Sequence, residues 1–283
     1  MKIIKKVDWS GLLFFVNTIH QGNCMNLMKQ ISDKSINLIL TDIPYDEVNN
    51  NKSCINRSKY KGQLRKYHKG IADELTFDLD LFMKECDRIC KGSIYIFCGL
   101  NQAGRLIDYF KTEREKDYMA RLCIWTKTNP TPSNGQHLWL SGTELCVFVK
   151  KRKTKFNQSC KSNVWEFPSG RSKVHPTEKP LELFKHLIKS STLELFKHLI
   201  KSSTNEKDLV LDMCMGSGTT IVASIELNRN YIGIELDKEY FEIAKKRIEE
   251  HSQQSTLLPL TENSKEDGTP PTNELVGILP KRL

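Results

Sequence analysis

Leu38-Ile39-Leu40 runs directly into Thr41-Asp42-Ile43-Pro44-Tyr45. Consecutive aliphatic residues leave no polar face, so a strand built from them is covered on both sides, as in the parallel sheet of an α/β protein. The strand then stops at an acid, a proline and an aromatic ring. Ligands of open α/β sheets gather at the carboxyl ends of the strands. Asp42 is therefore a candidate catalytic carboxylate, with Tyr45 a flat face beside it. A plain strand-to-loop turn containing Asp-x-Pro fits the same residues, so this stretch defines a fold class before it defines a function.

The remaining chain alternates as such a sheet requires. Leu12–Val16 reads as a strand, and Gly22-Asn23-Cys24 turns into a helix over Met25–Ile31. Leu79, Phe82, Met83, Cys86 and Ile89 give helical spacing over Leu75–Ile89, with Gly92 as the stop. Ser93–Cys98 is a buried strand, Gln102–Thr112 a helix, and Ala120–Thr126 and Glu144–Lys150 are strands. Asn129-Pro130-Thr131-Pro132-Ser133-Asn134-Gly135 between them is a loop by composition. The alternation predicts one doubly wound domain over residues 1–250. Residues 251–283, rich in Ser, Gln and Pro and without an aromatic residue, read as a disordered tail.

Hydrophobic and charged contents of 39% and 27% are those of an ordinary soluble chain. With no 18-residue apolar run and no signal-peptide core, a cytoplasmic location away from membranes is expected. The 9 cysteines are scattered and lack zinc-ligand spacing, so reduced core thiols and no metal are expected. The net charge of +9 is unevenly spread. Lys52, Arg57, Lys59, Lys61, Arg65, Lys66 and Lys69 form a run without an acid, interleaved with Tyr60 and Tyr67. Lys150-Lys151-Arg152-Lys153-Thr154-Lys155 is a second run. Either could be a solvated face; two such runs in loops around one site fit phosphate contacts better.

Leu209-Val210-Leu211-Asp212 is a further apolar strand, leading through Met213-Cys214-Met215 into Gly216-Ser217-Gly218 and a helix opening near Thr219. Glycines there let the backbone approach a ligand, with helix N–H groups beyond. Tyr231–Glu235 follows as a buried strand ending in an acid, the arrangement that binds ribose hydroxyls. A tight turn with a helix cap is the plainer alternative. His175-Pro176-Thr177-Glu178-Lys179-Pro180, between the two stretches, is by itself a polar turn into a helix with Pro180 near its first position.

Taken together, Asp42–Tyr45, His175–Pro180 and Asp212–Thr220 resemble, in that order, three motifs of amino-group DNA methyltransferases. The order, catalytic motif first and cofactor motif last, is similar to that of the family's β group. The resemblance implies a Rossmann-like S-adenosylmethionine-dependent methyltransferase sheet with circularly permuted motif order. It also implies S-adenosyl-L-methionine as donor and a base amine of double-stranded DNA as acceptor. Asp42 and the Ile43 carbonyl would accept the two amine hydrogens within the Asp42-Ile43-Pro44-Tyr45 loop, and Tyr45 would stack on a flipped base. Gly216, Ser217 and Gly218 would line the methionine part of the donor, with Asp212 and Thr219 also cofactor-binding. Glu235 would hold its ribose, and Thr177 and Lys179 its carboxylate side. Ile43 stands where the family usually has Pro, Asn23 where it has Asp, and Met213-Cys214 where it has Pro and an aromatic residue. Asp at the head of the tetrapeptide favours adenine N6 over cytosine N4.

Segments 46–72, 127–141 and 150–173 are the expected DNA-facing parts, with Lys59, Lys61, Arg65, Lys66, Lys151 and Arg152 as phosphate contacts. Asn129, Asn134 and Gln136 could read base edges, and Trp165 and Phe167 could pack or stack. A cognate restriction endonuclease is an open partner, as is the oligomeric state. A non-catalytic DNA-binding relative, or a methyltransferase acting on RNA or a small molecule, remains an alternative.

One feature has no counterpart in the resemblance. Leu181–Thr192 (LELFKHLIKSST) is repeated unchanged as Leu193–Thr204. At about 100° per residue, twelve residues leave the second apolar stripe about 120° out of phase with the first. The expectation is a break near Ser190–Thr192, with Ser191-Thr192-Leu193-Glu194 capping a new helix and one copy left as an exposed appendage. The rival is one long helix that pushes the His175 motif about 18 Å from the Gly216 turn, dislocating the cofactor site and leaving a dead enzyme.

Overall fold

The computed structural model describes residues 16–45, 77–130, 139–158, 160–169 and 181–257, with backbone alone for 181–191 and 253–257. The strands are β1 (Thr18–Gln21), β2 (Ile36–Asp42), β3 (Cys90–Cys98), β4 (Tyr118–Lys127), β5 (Thr143–Lys151), β6 (Val164–Phe167), β7 (Leu209–Asp212) and β8 (Asn230–Glu235). The helices are α1 (Cys24–Met28), α2 (Leu79–Ile89), α3 (Leu100–Asp108, continued by a wider turn over Tyr109–Glu113), α4 (Leu181–Ser203), α5 (Thr219–Glu226) and α6 (Lys238–Leu257). All strands join one sheet in the order β1-β8-β7-β2-β3-β5-β4-β6. From β1 to β3 neighbours are parallel; β5 runs antiparallel to both β3 and β4, and β6 is parallel to β4. Because β7 and β8 insert between β1 and β2, the last motif of the chain lies beside the first.

Strand alternation divides the core between the two faces of the sheet. Ile39 turns toward α1, α2 and α3, packing with Met28, Phe82, Cys86 and Leu106. Leu38 and Leu40 turn the other way, toward α4, α5 and α6, with Phe196, Leu199, Ile221 and Ile248. All three β2 residues are fully buried, contributing about 1.5–3 kcal/mol each. That anchors the strand whose end carries Asp42.

Several boundaries differ from expectation for local reasons. Residues 1–15 lie outside the described part, so the Leu12–Val16 strand does too, apart from an exposed Val16; β1 begins at Thr18. Helix α2 starts at Leu79 because the Asp78 carboxylate accepts the Asp80 and Leu81 N–H groups at 2.8 and 3.1 Å. Gly92 is not a helix stop. The backbone is already extended at Cys90, and Gly92 sits within β3, where a Cβ would stand 1.9 Å from the Asn37 carbonyl oxygen. The tail does not begin at 251, since α6 continues to Leu257, with Ser252 Oγ bonded to the Ile248 carbonyl at 2.9 Å.

The break expected at Ser190–Thr192 is absent, and α4 runs through both copies of the repeat. The junction contains neither Gly nor Pro, and each Ser or Thr costs a helix only a few tenths of a kcal/mol, about 0.5. The second copy packs on the sheet, with Leu193, Leu195, Phe196, Leu199 and Ile200 all buried. The first continues the same helix on its N-terminal side.

Candidate active site

The carboxyl ends of β2, β7 and β8 open onto one cavity of about 450 Å³. Asp42, Ile43, Pro44 and Tyr45 form one wall; Asp212, Gly216, Ser217, Thr219 and Glu235 contribute to the opposite one. Residues 170 positions apart in sequence thus share a single space because β2 and β7 are neighbours, with Leu38 beside Val210 and Ile39 beside Leu211.

Asp42 ends β2 with its side chain standing in the open cavity. Enclosure by protein atoms, then the nearby Glu144 carboxylate, push its carboxyl up to about 7, with Asp212 adding to the rise and Tyr45 and Lys127 opposing it. Water reaches this carboxylate while the cavity is open, so the full desolvation effect belongs to the filled site. The Ile43 N–H donates to the Phe97 carbonyl at 3.1 Å, extending the β2–β3 pairing past the strand end. Buried Gln102 donates to the Pro44 carbonyl at 2.8 Å and accepts the Gly99 N–H at 2.8 Å. Its amide pins the loop at Pro44, next to Ile43, which stands where the family usually has Pro. The Tyr45 hydroxyl donates to Glu144 Oε2 at 3.5 Å, and Glu144 is ion-paired with Lys127. Burial and the Asp42 and Glu144 carboxylates hold the Tyr45 phenol far above its ordinary range, and it stays neutral.

On the opposite wall, Gly216 and Gly218 have φ of 51° and 80°, a region that L side chains rarely adopt. Gly218 is the N-cap of α5, where a Cβ would come within 3.2 Å of Ala244 Cβ; a Cβ on Gly216 would meet nothing within 4 Å. The Gly216 N–H donates to Glu235 Oε2 and the Asp237 N–H to Glu235 Oε1, both at 2.8 Å. Each oxygen keeps acceptor capacity for a ribose hydroxyl. Burial raises the Glu235 carboxyl above its ordinary value. Asp212 shapes the turn: Oδ2 accepts the Thr220 hydroxyl at 2.5 Å and Oδ1 the Cys214 N–H at 3.1 Å, and burial lifts its carboxyl to about 6. From behind, Arg247 Nη1 donates to the Ser217 carbonyl at 3.2 Å and Thr219 Oγ1 at 3.0 Å. Asn23, which replaces the family's Asp, caps α1 by accepting the Met25 N–H at 2.9 Å. The cavity before a left-handed glycine, with a carboxylate at its rim, fits an adenosyl donor.

Thr177, Lys179, Lys59, Lys61, Arg65 and Lys66 lie outside the described residues, as do Asn134 and Gln136. Lys151 and Arg152 are not brought to the site. Strand β5 runs away from it, placing them roughly 20 Å along the strand at the far end of the sheet. There Lys151 faces buried Asp87 at 3.8 Å, and Arg152 donates twice to the Glu115 carbonyl. Charge counting cannot see strand direction, and that is why they read as DNA contacts. Asn129 is committed to Ser169, accepting its N–H at 2.6 Å, and Trp165 is buried against Tyr95. Gln102, Lys127 and Glu144 were missed. Pairing the two predicted strands Ala120–Thr126 and Glu144–Lys150 across their loop as a hairpin is the step that would have placed Lys127 beside Glu144. Among the described residues, no group of three or more His, Cys, Asp or Glu is placed to hold a metal.

A largely parallel sheet that sets a glycine-bounded turn and a strand-end glutamate against a second acid-terminated strand defines a binding site for a nucleoside-bearing ligand. Residues 36–194 and 192–246 match the family model described as DNA methylase, the two segments overlapping at the junction of the repeat. The type II methyltransferase M.HinfI of Haemophilus influenzae is 32% identical over 263 residues, covering 83% of this chain and 69% of that protein. The structure of M1.HpyAVI with S-adenosylmethionine is similar at a TM-score of 0.53 and 26% identity, covering 81% of this chain and 98% of the other. The PvuII cytosine-N4-specific DNA methyltransferase shares the fold at a TM-score of 0.55 and 17% identity, covering 84% of this chain and 91% of the other. The chain belongs to the DNA methylase family: it is an S-adenosylmethionine-dependent DNA methyltransferase.

Proposed function

We propose that this methyltransferase acts on the N6 amine of adenine in a short sequence of double-stranded DNA, with the base flipped into the cavity beside Tyr45. The observation that carries the reading is the single cavity shared by Asp42–Tyr45 and the Gly216–Glu235 wall. S-adenosyl-L-methionine supplies a methyl group on a positively charged sulfur when bound. Gly216, Ser217, Gly218 and Thr219 hold its methionine end, Glu235 its ribose, and Asp212 keeps the turn in shape. Ionised Asp42 and the Ile43 carbonyl each accept one amine hydrogen, aiming the nitrogen lone pair across the cavity. Positioning of this kind supplies most of the acceleration. As the new N–C bond forms, the nitrogen becomes acidic and its proton passes to Asp42 or to water. The base assignment rests on Asp at the head of the tetrapeptide, by resemblance.

Duplex DNA is held by the basic segment 46–72 and by the β4–β5 hairpin, which emerges at the Asp42 end of the sheet. Trp139 on that hairpin is 99% exposed, a flat apolar face of the kind that occupies the gap left by an extruded base. Thr177 and Lys179 belong to the donor's carboxylate side, but the repeat lengthens the helix between them and the cavity. Donor binding in the full chain therefore depends mainly on the Gly216 turn and Glu235. In keeping with M.HinfI, a type II methyltransferase, the modification protects a site read by a companion restriction endonuclease. Nucleosides from DNA treated with the protein, resolved by mass spectrometry, test the reading: N6-methyladenine supports it and N4-methylcytosine overturns it.

A further inference from the structure

We propose that Lys127 and Glu144 are a positioning pair for methyl transfer, which from the β4–β5 hairpin holds the Tyr45 hydroxyl and sets the protonation state of Asp42. The inference rests on the methyltransferase reading and assigns a role to two residues outside its motifs. Trp125 pairs with Glu144 and Thr126 with Thr143 across the hairpin, and the Lys127 N–H donates to the Gly142 carbonyl at 2.7 Å. Register alone therefore places Lys127 and Glu144 side by side. Their side chains are only 13% and 21% exposed, and the Lys127 ammonium also lies 5.5 Å from the centre of the Trp125 ring. An ion pair this sheltered adds little net stability, because desolvation offsets most of the attraction. Its placement is better explained by what it faces.

It faces the catalytic loop. Glu144 lines the cavity with Asp42 and receives the Tyr45 hydroxyl. That hydroxyl has one proton, within reach of both Glu144 Oε2 and the Asp42 carboxylate; drawn to Glu144, it leaves Asp42 free to accept from a substrate amine. The groups acting on Asp42 are Tyr45 from its own loop, Glu144 and Cys146 from β5, Lys127 from β4 and Asp212 from β7, with Glu235 beyond Asp212. Within this set Lys127 is the cation opposing two carboxylates. Asp42 must be ionised to accept an amine hydrogen; protonated, it presents a donor to the nitrogen lone pair instead. Glu144 raises the Asp42 carboxyl more than Lys127 lowers it, so the glutamate brings the carboxyl toward neutrality and the lysine limits that rise. Because this carboxyl is raised, its ionised form is lost as pH falls through about 7.

The two members must therefore act in opposite directions, which a merely structural pair would not do. The test is titration of the Asp42 carboxyl carbon by NMR in the full-length protein, which needs no turnover, paired with the pH–rate profile of methyl transfer. Glu144→Gln should lower the Asp42 midpoint by about one unit and Lys127→Met should raise it by a smaller amount. Lys127→Arg should restore the original midpoint. The acid limb of the rate profile should move with each midpoint. Lys127→Gln carries the same charge prediction should the methionine variant unfold. Midpoints that stay put, or that move in the same direction in both variants, overturn the proposal. Opposite shifts in a protein that transfers no methyl group would uphold the pair and overturn the enzymatic reading instead.

Discussion

Removing one copy of the LELFKHLIKSST repeat should tighten donor binding without weakening the fold. Deleting Leu181–Thr192 or Leu193–Thr204 yields the same chain, so the variant is unambiguous. In the present structure α4 is continuous from Leu181 to Ser203, and Thr192 lines the cavity. The axial span from Leu181 to Thr192 is about 16 Å at 1.5 Å per residue. Lys179 is tethered to Leu181 by two residues spanning at most about 7 Å, and its side chain adds about 6 Å, together less than that axial span. Deletion joins Pro180 to the packed copy and removes about 18 Å of helix from that path. A recovered charge-assisted hydrogen bond from Lys179 or Thr177 to the donor carboxylate contributes about 1.5–3 kcal/mol, or about 10–100-fold in Kd. Calorimetric titration with S-adenosylmethionine reads this directly. The buried Leu195, Phe196, Leu199 and Ile200 positions are kept in the shortened chain, so the melting temperature should stay within a few degrees. A folded variant with unchanged Kd would refute the displacement argument, and a variant that unfolds would show that both copies are structural.

Asp42→Ala should abolish methyl transfer to DNA in a radiolabelled-methyl assay while leaving donor affinity within a few-fold, since Asp42 lies on the wall opposite the Gly216 turn. Alanine at Lys59, Lys61, Arg65 and Lys66 together should reduce the slope of log affinity against log salt by about 3 to 4 if each meets a phosphate; an unchanged slope would make the run a solvated loop. Gly92→Ala should cost about 3 kcal/mol or more, because a methyl group there meets the Asn37 carbonyl at 1.9 Å. That corresponds to a fall of about 6–12 °C in melting temperature. Truncation after Leu257 should leave both folding and donor binding unchanged.

What could be read from the sequence was whatever is local along the chain. The β2 and β7 strands, the Gly216 turn and the terminal acids Asp42 and Glu235 each declare themselves within a dozen residues, through apolar runs and punctuation. Roles that depend on strand direction or register did not. Lys151 and Arg152 carry the right charge at the wrong end of an antiparallel strand, while Lys127 and Glu144 acquire meaning only from the hairpin that pairs Trp125 with Glu144. Gln102 shows its function only once α3 is set beside the Pro44 carbonyl. The repeat illustrates a different limit. A capping-box pattern at Ser191–Glu194 was outweighed by helix propensity, because tertiary contacts hold the second copy and nothing at the junction forces a break.

The central claim is that Asp42–Tyr45 presents an adenine amine to a donor held at Gly216 and Glu235. Its most direct measurement is mass spectrometry of nucleosides from unmethylated duplex DNA incubated with the protein and S-adenosylmethionine carrying a deuterated methyl group. Trideuterated N6-methyladenine is expected, absent with Asp42→Ala. Label in N4-methylcytosine, or label that persists in the Asp42→Ala variant, would contradict it.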